Sequence, residues 1–353
     1  MNEPLTITLR TLTPLWTGGI DGTSERLHET GLIGSLRWWY EAIVRGLGGR
    51  VCDPIEHPCS LSGDNLKVYE QAIKDGKAAR QALSEAKICN VCQLFGATGW
   101  ARRFRLVAED RTAASGPNGT QQPTGSRFKR NGQQRPSWYF KGGRTGHMVL
   151  RIIPTAADFD PIAILGTLWL IARWGGLAAK PQLGYGWIEV VSAPLFDVDE
   201  FVHKVQTTTA AQSTANHGLP SLDQMFFAQV ETSDAGVIPT LNLKYDLRAA
   251  FRNAFGGDQT LRHWVCGSVR GEQRQASKIN ITQAVNSAVR VWGWIPEDVP
   301  VRSVTRDQIV DEIKVALTAY GNLVYWREFN SARDTVHRQT DAPTYLLDLL
   351  QRS

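Results

Sequence analysis

One order of elements occurs twice along this chain, and that repetition limits the fold more than any other feature. Within residues 30–47, Leu32, Leu36, Trp39, Tyr40, Ile43 and Leu47 recur at spacings of three and four, which sets them on one face of a helix. Thr30 is the expected N-cap, and Gly48-Gly49 stops the helix. Leu243, Leu247, Ala250, Phe251 and Ala254 repeat the pattern and end at Gly256-Gly257, and Arg248 follows Leu247 as Arg37 follows Leu36. A glycine-bearing turn and a basic segment come next: 96–107 in the first half, and 267–281, with Arg270, Arg274 and Lys278, in the second. Strands ending at Ile153-Pro154 and Ile295-Pro296 follow, each succeeded by a helix, 161–174 and 306–320.

Two halves with one order imply a duplicated unit. Leu5, Ile7 and Leu9 alternate with polar residues, so a strand precedes the first helix. The first half then reads strand, helix, strand, strand, helix, strand, with strands near 5–16, 103–108, 147–153 and 186–191. This is the split-βαβ, ferredoxin-like order, with four strands in one sheet and two helices on one face. The second half places strands near 224–231, 277–283 and 288–295 and leaves the path of a fourth open. We therefore expect an α+β chain of two tandem ferredoxin-like (βαββαβ, RRM-like) domains, 1–195 and 221–353, joined by a linker over 196–220. The 353 residues suit about two domains of roughly 150 residues. Two insertions interrupt the first domain. Residues 50–92 carry four cysteines. Residues 109–146 are rich in Gly, Ser, Gln, Asn and Arg, with almost nothing to build a core, and are expected to lack fixed structure until they meet a partner.

Charge is concentrated rather than spread. Residues 100–151 hold eleven Lys or Arg against Glu109 and Asp110, a local +9, which leaves the rest of the +5 chain near −4. Such a concentration points to a polyanionic partner. The most apolar stretch, 161–172, is too short for the roughly 20 residues that cross a bilayer. The alternating start is a strand and not a signal peptide, so we expect a cytoplasmic protein without a membrane partner.

Cys89 and Cys92 form a Cys-x-x-Cys pair, which brings two thiolates to one ion from a single turn, and Cys52 and Cys59 complete a tetrahedral set. His57 is an alternative to Cys59. The expected cofactor is Zn2+ in a closed structural site, with buried free thiols as the other reading. Cys266 has no neighbour in sequence and is expected in the core.

Several stretches resemble one family. These are Thr13-Pro14-Leu15-Trp16-Thr17-Gly18-Gly19 after the first strand, Gly31-Leu32-Ile33-Gly34-Ser35-Leu36-Arg37-Trp38-Trp39-Tyr40-Glu41 in the helix, Cys89 through Gly96, and Gln182-Leu183-Gly184-Tyr185-Gly186-Trp187. In order and spacing they resemble the RAMP proteins of CRISPR systems, and within them the family of the first-numbered subunit of type III-B Cmr complexes. The likeness is strong over 1–190 and weaker over 220–353. It implies a non-catalytic, RNA-binding subunit of an RNA-guided antiviral effector complex. Such a subunit caps the assembly near the 3′ end of the guide RNA, beside other RAMP subunits, and contacts guide or target RNA.

Single-stranded RNA needs cations for phosphates and flat rings for bases. The residues expected to supply them are Arg37, Trp38, Arg102, Arg103, Arg127, Lys129, Arg130, Lys180, Arg248, Arg270 and Arg274, with Gly184 and Gly186 letting backbone N–H groups approach a phosphate. Trp39 and Tyr40 fall on the apolar face and belong to the core. Arg37 has a second reading, an ion pair with Glu41 at helical spacing. The alternatives are a metal-independent endoribonuclease that processes guide RNA, with His28 as base and Arg37 as its cation, and a scaffold that touches only protein.

Overall fold

The structure is a computed structural model that describes residues 3–130, 133–134, 137–209, 218–269 and 274–351. β1 (Leu5–Thr11) alternates as expected, with Ile7 and Leu9 fully buried. α1 (Glu29–Gly46) follows, and its N-cap is His28 rather than Thr30. The chain is fixed just before the helix: the Leu27 N–H donates to the Asp110 carboxylate and the His28 N–H to Thr17 Oγ1. With its entry so anchored, the helix starts earlier than the sequence suggests. The first insertion holds α2 (Gly63–Lys74) and α3 (Ala79–Glu85) and ends in α4 (Asn90–Phe95).

β2 (Phe104–Ser115) is far longer than expected. At the tip beyond it lie β3 (Gly119–Gln121), β4 (Lys129–Arg130), β5 (Gln133–Gln134) and β6 (Trp138–Phe140). β7 (Gly143–Pro154) returns antiparallel in unbroken register, from Phe104 opposite Pro154 to Ser115 opposite Gly143. α5 (Ile162–Trp174), β8 (Ile188–Ser192) and α6 (Val198–Thr209) complete the first half. Its sheet is antiparallel, in the order β2-β7-β1-β8.

The second half contains β9 (Met225–Glu231), α7 (Val237–Ala254), α8 (Gln259–Cys266), β10 (Ile279–Ile281), β11 (Ala288–Trp294), α9 (Arg306–Tyr320), β12 (Asn322–Glu328) and α10 (Ala342–Gln351). Its antiparallel sheet has the order β10-β11-β9-β12, so the fourth strand lies beside the first in both halves. The chain is thus a mixed α+β protein with two equivalent four-stranded sheets.

The two halves share a core. On β9, Phe226, Ala228 and Val230 pack with the helices of the second half, while Met225 and Phe227 point the other way into the first core. Trp39 carries that contact: its ring lies 6.4 Å from Phe227 and 4.7 Å from Trp292, and its Nε1 donates to the Gly176 carbonyl. Gly175 leaves the space for this indole, which a Cβ would occupy. Both faces of this sheet are covered, which explains the continuous apolar run of β9.

Three expectations need correction. The sequence predicts a linker over 196–220, but residues 198–209 form α6, which buries Phe201, Val202 and Val205 in the first core. The second domain is expected over 221–353, but α10, within that range, packs Tyr345, Leu346, Leu349 and Leu350 into that same first core. The insertion 109–146 was expected to lack fixed structure, but its two arms extend β2 and β7, and its tip docks on α7. There Phe140, Tyr185 and Leu241 form a small buried cluster, the Thr124 N–H donates to Asn242 Oδ1, and Arg127 makes two hydrogen bonds to Asp246. Backbone pairing and one phenylalanine anchor suffice where composition predicts disorder. Asp246→Asn is expected to cost below about 1 kcal/mol, since the pair is partly solvated. It should instead speed amide exchange at Thr124, and an unchanged rate there would reject this docking.

Candidate nucleic-acid interface and metal centre

Cys52, Cys59, Cys89 and Cys92 converge, with all four sulfurs within 4.8 Å of one another. Cys52 Sγ and Cys92 Sγ are 3.6 Å apart, close to the spacing of about 3.8 Å that Zn–S bonds of about 2.3 Å set along a tetrahedron edge. The local fold presents them. Cys89 precedes α4, and its sulfur accepts from the Cys92 N–H at 3.5 Å, while Cys59 Sγ accepts from the Cys89 N–H at 3.3 Å. His57 is exposed and lies outside the group, so Cys59 is the fourth member. Hydrogen bonds from Cys59, Cys89 and Cys92 draw the Cys52 thiol well below its ordinary range. The reciprocal interactions with Cys52 and Cys59 push Cys89 and Cys92 well above theirs. Four sulfurs in this space are compatible with one divalent cation. Cys266 lies apart, buried in the second core.

Arg37 serves this group. Its Nη2 donates to Cys92 Sγ at 3.2 Å, its Nη1 to the Gly96 carbonyl at 3.1 Å and its Nε to Glu41 at 2.9 Å. Arg248 does the equivalent in the second half, donating to the Cys266 and Gly267 carbonyls at 2.8 and 2.7 Å. Each arginine therefore ties its long helix to the end of a short helix later in its half, α4 or α8, at a glycine of positive φ, Gly96 or Gly267. The repeated placement that suggested RNA contact has this structural reason.

Several of the other expected contacts are also engaged. Arg102 Nε donates to the Phe104 carbonyl. Arg103 pairs with Asp158 and stacks 4.8 Å from the Trp100 ring centre. Arg127 pairs with Asp246. Gly184 and Gly186 do not present free N–H groups, which is a correction: they donate to the Pro181 and Pro14 carbonyls. Their positive φ serves close packing, since a Cβ would meet Gln283 at Gly184 and the Leu177 carbonyl at Gly186. Lys129 and Arg130 lie on β4, and their side chains fall outside the described residues, as does Arg270. Arg274 is exposed. His28 Nε2 sits 2.8 Å from a Glu25 oxygen, and Arg37 is held elsewhere, so the pair proposed for catalysis is not assembled.

Trp38 reaches an open site. It lines a cleft of about 380 Å³ between the halves, with Trp292 and Trp294 at centroid distances of 5.7 and 5.6 Å. Asn280, nearly all buried, also lines it. Lys278 lies beside it, its Nζ 4.4 Å from the Trp264 centroid and 5.8 Å from that of Trp294, and burial lowers its pKa. The opposite wall is the segment around Ala178 and Pro181. Ala178 and Lys180 there hold positive φ of 70° and 61°, pinned by the Ala178 N–H donating to Ser35 Oγ and the Ala179 N–H to the Trp16 carbonyl. Lys180 covers the Trp16 ring at 3.6 Å, and burial, then Lys141, lowers it to about 8. The glycine-rich segment thus shapes a cleft wall instead of cradling a phosphate.

With this geometry in place, comparison with known proteins identifies the relationship. The family model of the RAMP superfamily matches residues 8–189, just over half of the chain. The chain belongs to the RAMP superfamily. No curated protein matches it. Among solved structures, Cmr1 from Pyrococcus furiosus in its apo form aligns at 11% identity and a TM-score of 0.44, covering 92% of this RAMP chain and 98% of that one. A chain of the type III-B Cmr-beta complex bound to cognate target RNA and AMPPnP aligns at 10% identity and a TM-score of 0.48, covering 91% and 100%. Another, from Cmr-beta bound to cognate target RNA, gives 12% and 0.44, covering 90% and 100%.

The sequence reading of this RAMP protein missed Trp292, Trp294 and Asn280, which come to the cleft from the second half. The one available signal was the pair of tryptophans two apart on a strand, which share a face.

Proposed function

We propose that this RAMP protein is a non-catalytic, single-stranded-RNA-binding subunit of a type III-B CRISPR effector complex, built as two tandem ferredoxin-like units. The strand orders β2-β7-β1-β8 and β10-β11-β9-β12, with their intervening helices, support the tandem reading. The motif resemblance over 1–190 supports a place near the 3′ end of the guide RNA, beside other RAMP subunits. We further propose that the four cysteines hold zinc in a closed structural site.

The observation that carries RNA binding is the cleft between the halves. Trp38 and Trp294, both partly exposed, offer indole surface to an unstacked base, Asn280 offers an amide to its edge, and Lys278 brings a charge for a phosphate. Base–indole stacking contributes about 1–3 kcal/mol, and the phosphate contribution falls with salt. Trp38→Ala and Trp294→Ala are each expected to weaken binding of a ten-nucleotide single-stranded RNA by roughly 5- to 150-fold. Affinity unchanged in both, with melting curves like the parent's, would remove the cleft from RNA binding. Absence of any salt-sensitive RNA affinity in the parent would point to a protein-only scaffold. Cleavage of RNA without metal would point to an enzyme.

A further inference from the structure

Three guanidinium groups converge on another cleft where the halves meet. Arg173 at the end of α5, Arg290 on β11 and Arg327 on β12 line a hollow of about 330 Å³ with Trp174, Gln229 and Tyr325. Among the described residues no carboxylate lines it. Arg173 Nη1 donates to the Leu350 carbonyl at 2.9 Å, in the last turn of α10. Arg290 Nη1 donates to the Ala172 carbonyl at 2.6 Å, in the last turn of α5, and its guanidinium lies 4.2 Å from the Trp187 ring centre. These helix ends fix the arginines without neutralising them. Arg327 is ion-paired with Asp334 through its Nε, yet its Nη2 is buried with no partner, which leaves Arg173 and Arg290 as the two cations without a carboxylate among the described residues.

The charges are out of balance. Burial, then the charge of Arg173, lowers the Arg290 guanidinium to about 9. Burial, then Arg327, lowers Arg173. Two half-buried cations without a counter-charge are costly, and an oxyanion would supply that charge and an acceptor for Arg327 Nη2. The planar fork of arginine matches phosphate, and the rings of Trp174 and Tyr325 offer flat apolar contact beside it.

We propose that this three-arginine cleft binds a phosphate group borne by a nucleotide. The site stands apart from the tryptophan cleft and does not require that reading to hold. Its first test contains no RNA. Thermal melting in inorganic phosphate is compared with chloride at matched ionic strength. At a phosphate level about tenfold above its dissociation constant, the melting temperature should rise on the order of 2 °C above the chloride value. Arg173→Gln and Arg290→Gln should abolish the difference, and Arg173→Lys should keep part of it. An equal rise in chloride, or a rise undiminished in both glutamine variants, overturns the proposal. Arg290 is packed on Trp187, so a misfolded Arg290→Gln leaves Arg173→Gln, which is partly exposed, to decide.

Two further arms separate the sources of the phosphate. If Arg173→Gln weakens binding of a ten-nucleotide RNA about tenfold and reduces its salt slope by about one, the phosphate belongs to an RNA chain. If RNA affinity is unchanged while protection by AMP over adenosine is lost, it belongs to a free nucleotide.

Discussion

Removing zinc from the proposed four-cysteine site with a chelator, or replacing Cys92 by Ser, is expected to give the largest loss of stability of the changes considered for this protein. Structural zinc in small peptides contributes an apparent free energy of about 10–16 kcal/mol at pH 7, an upper bound for a site embedded in a larger fold. The four sulfurs hold the base of the insertion. Around them Val51, Leu61, Ile88, Val91 and Phe95 are buried in the first core. Cys92 also accepts from Arg37, which in turn holds the Gly96 carbonyl and Glu41, so its loss loosens the end of α4 and one face of α1. Arg45, one turn beyond Glu41, donates to the Cys52 and Pro220 carbonyls, which carries the disturbance toward the start of the second half. Metal analysis should find one zinc per chain. Amide exchange after chelation should rise first across residues 50–100, while β11 stays protected. A protein without zinc, or one whose melting ignores the chelator, would reject the site.

Glu328→Gln should cost about 3–5 kcal/mol at neutral pH, the usual loss when one partner of a buried ion pair is removed. The carboxylate is fully buried at the end of β12. It accepts from Arg306 Nη1 at 3.1 Å, from Arg333 Nε and Nη2 at 2.8 Å each, and from Trp326 Nε1 at 3.0 Å. Burial alone would raise its pKa, but the hydrogen bonds from Arg333 and Trp326 and the charge of Arg306 outweigh it and lower the group below 4.5. A carboxyl depressed on folding stabilises the native state above its unfolded pKa and loses that contribution as pH falls through the folded value. The parent should therefore lose stability between about pH 4.5 and lower values, and the glutamine variant should start lower and show a flatter acid limb. Urea melts at a series of pH values measure both, and parallel acid limbs would show that Glu328 titrates alike in both states.

What the sequence makes legible is whatever depends on local periodicity. α9 falls on the expected residues because Thr305 and Gln308 form a capping box directly before an apolar face. The duplicated order is visible because each helix ends in paired glycines. α7 begins at Val237, ahead of the apolar pattern that starts at Leu243, because Pro239 sits in the first turn, where no N–H is needed. Contacts between distant segments are hidden from such a reading. Nothing local in Arg37 or Arg248 reveals a carbonyl more than fifteen positions away, so a charge with a repeated position looked like a binding group. Nothing in Arg173, Arg290 or Arg327 shows that three cations from three elements meet. The basic hairpin misled because composition measures how much a segment can bury, not whether its backbone finds a partner strand.

The shared core also governs the order in which the protein can be made. Trp174 Nε1 is satisfied by the carbonyl of Leu349, 175 positions later. As the chain leaves the ribosome, the first half emerges early but lacks the helix that closes it until residues 342–351 have been synthesised. Through that interval Trp174 and the side of α5 that α10 covers remain open to water, and a chaperone that shields aromatic surface would find its target there.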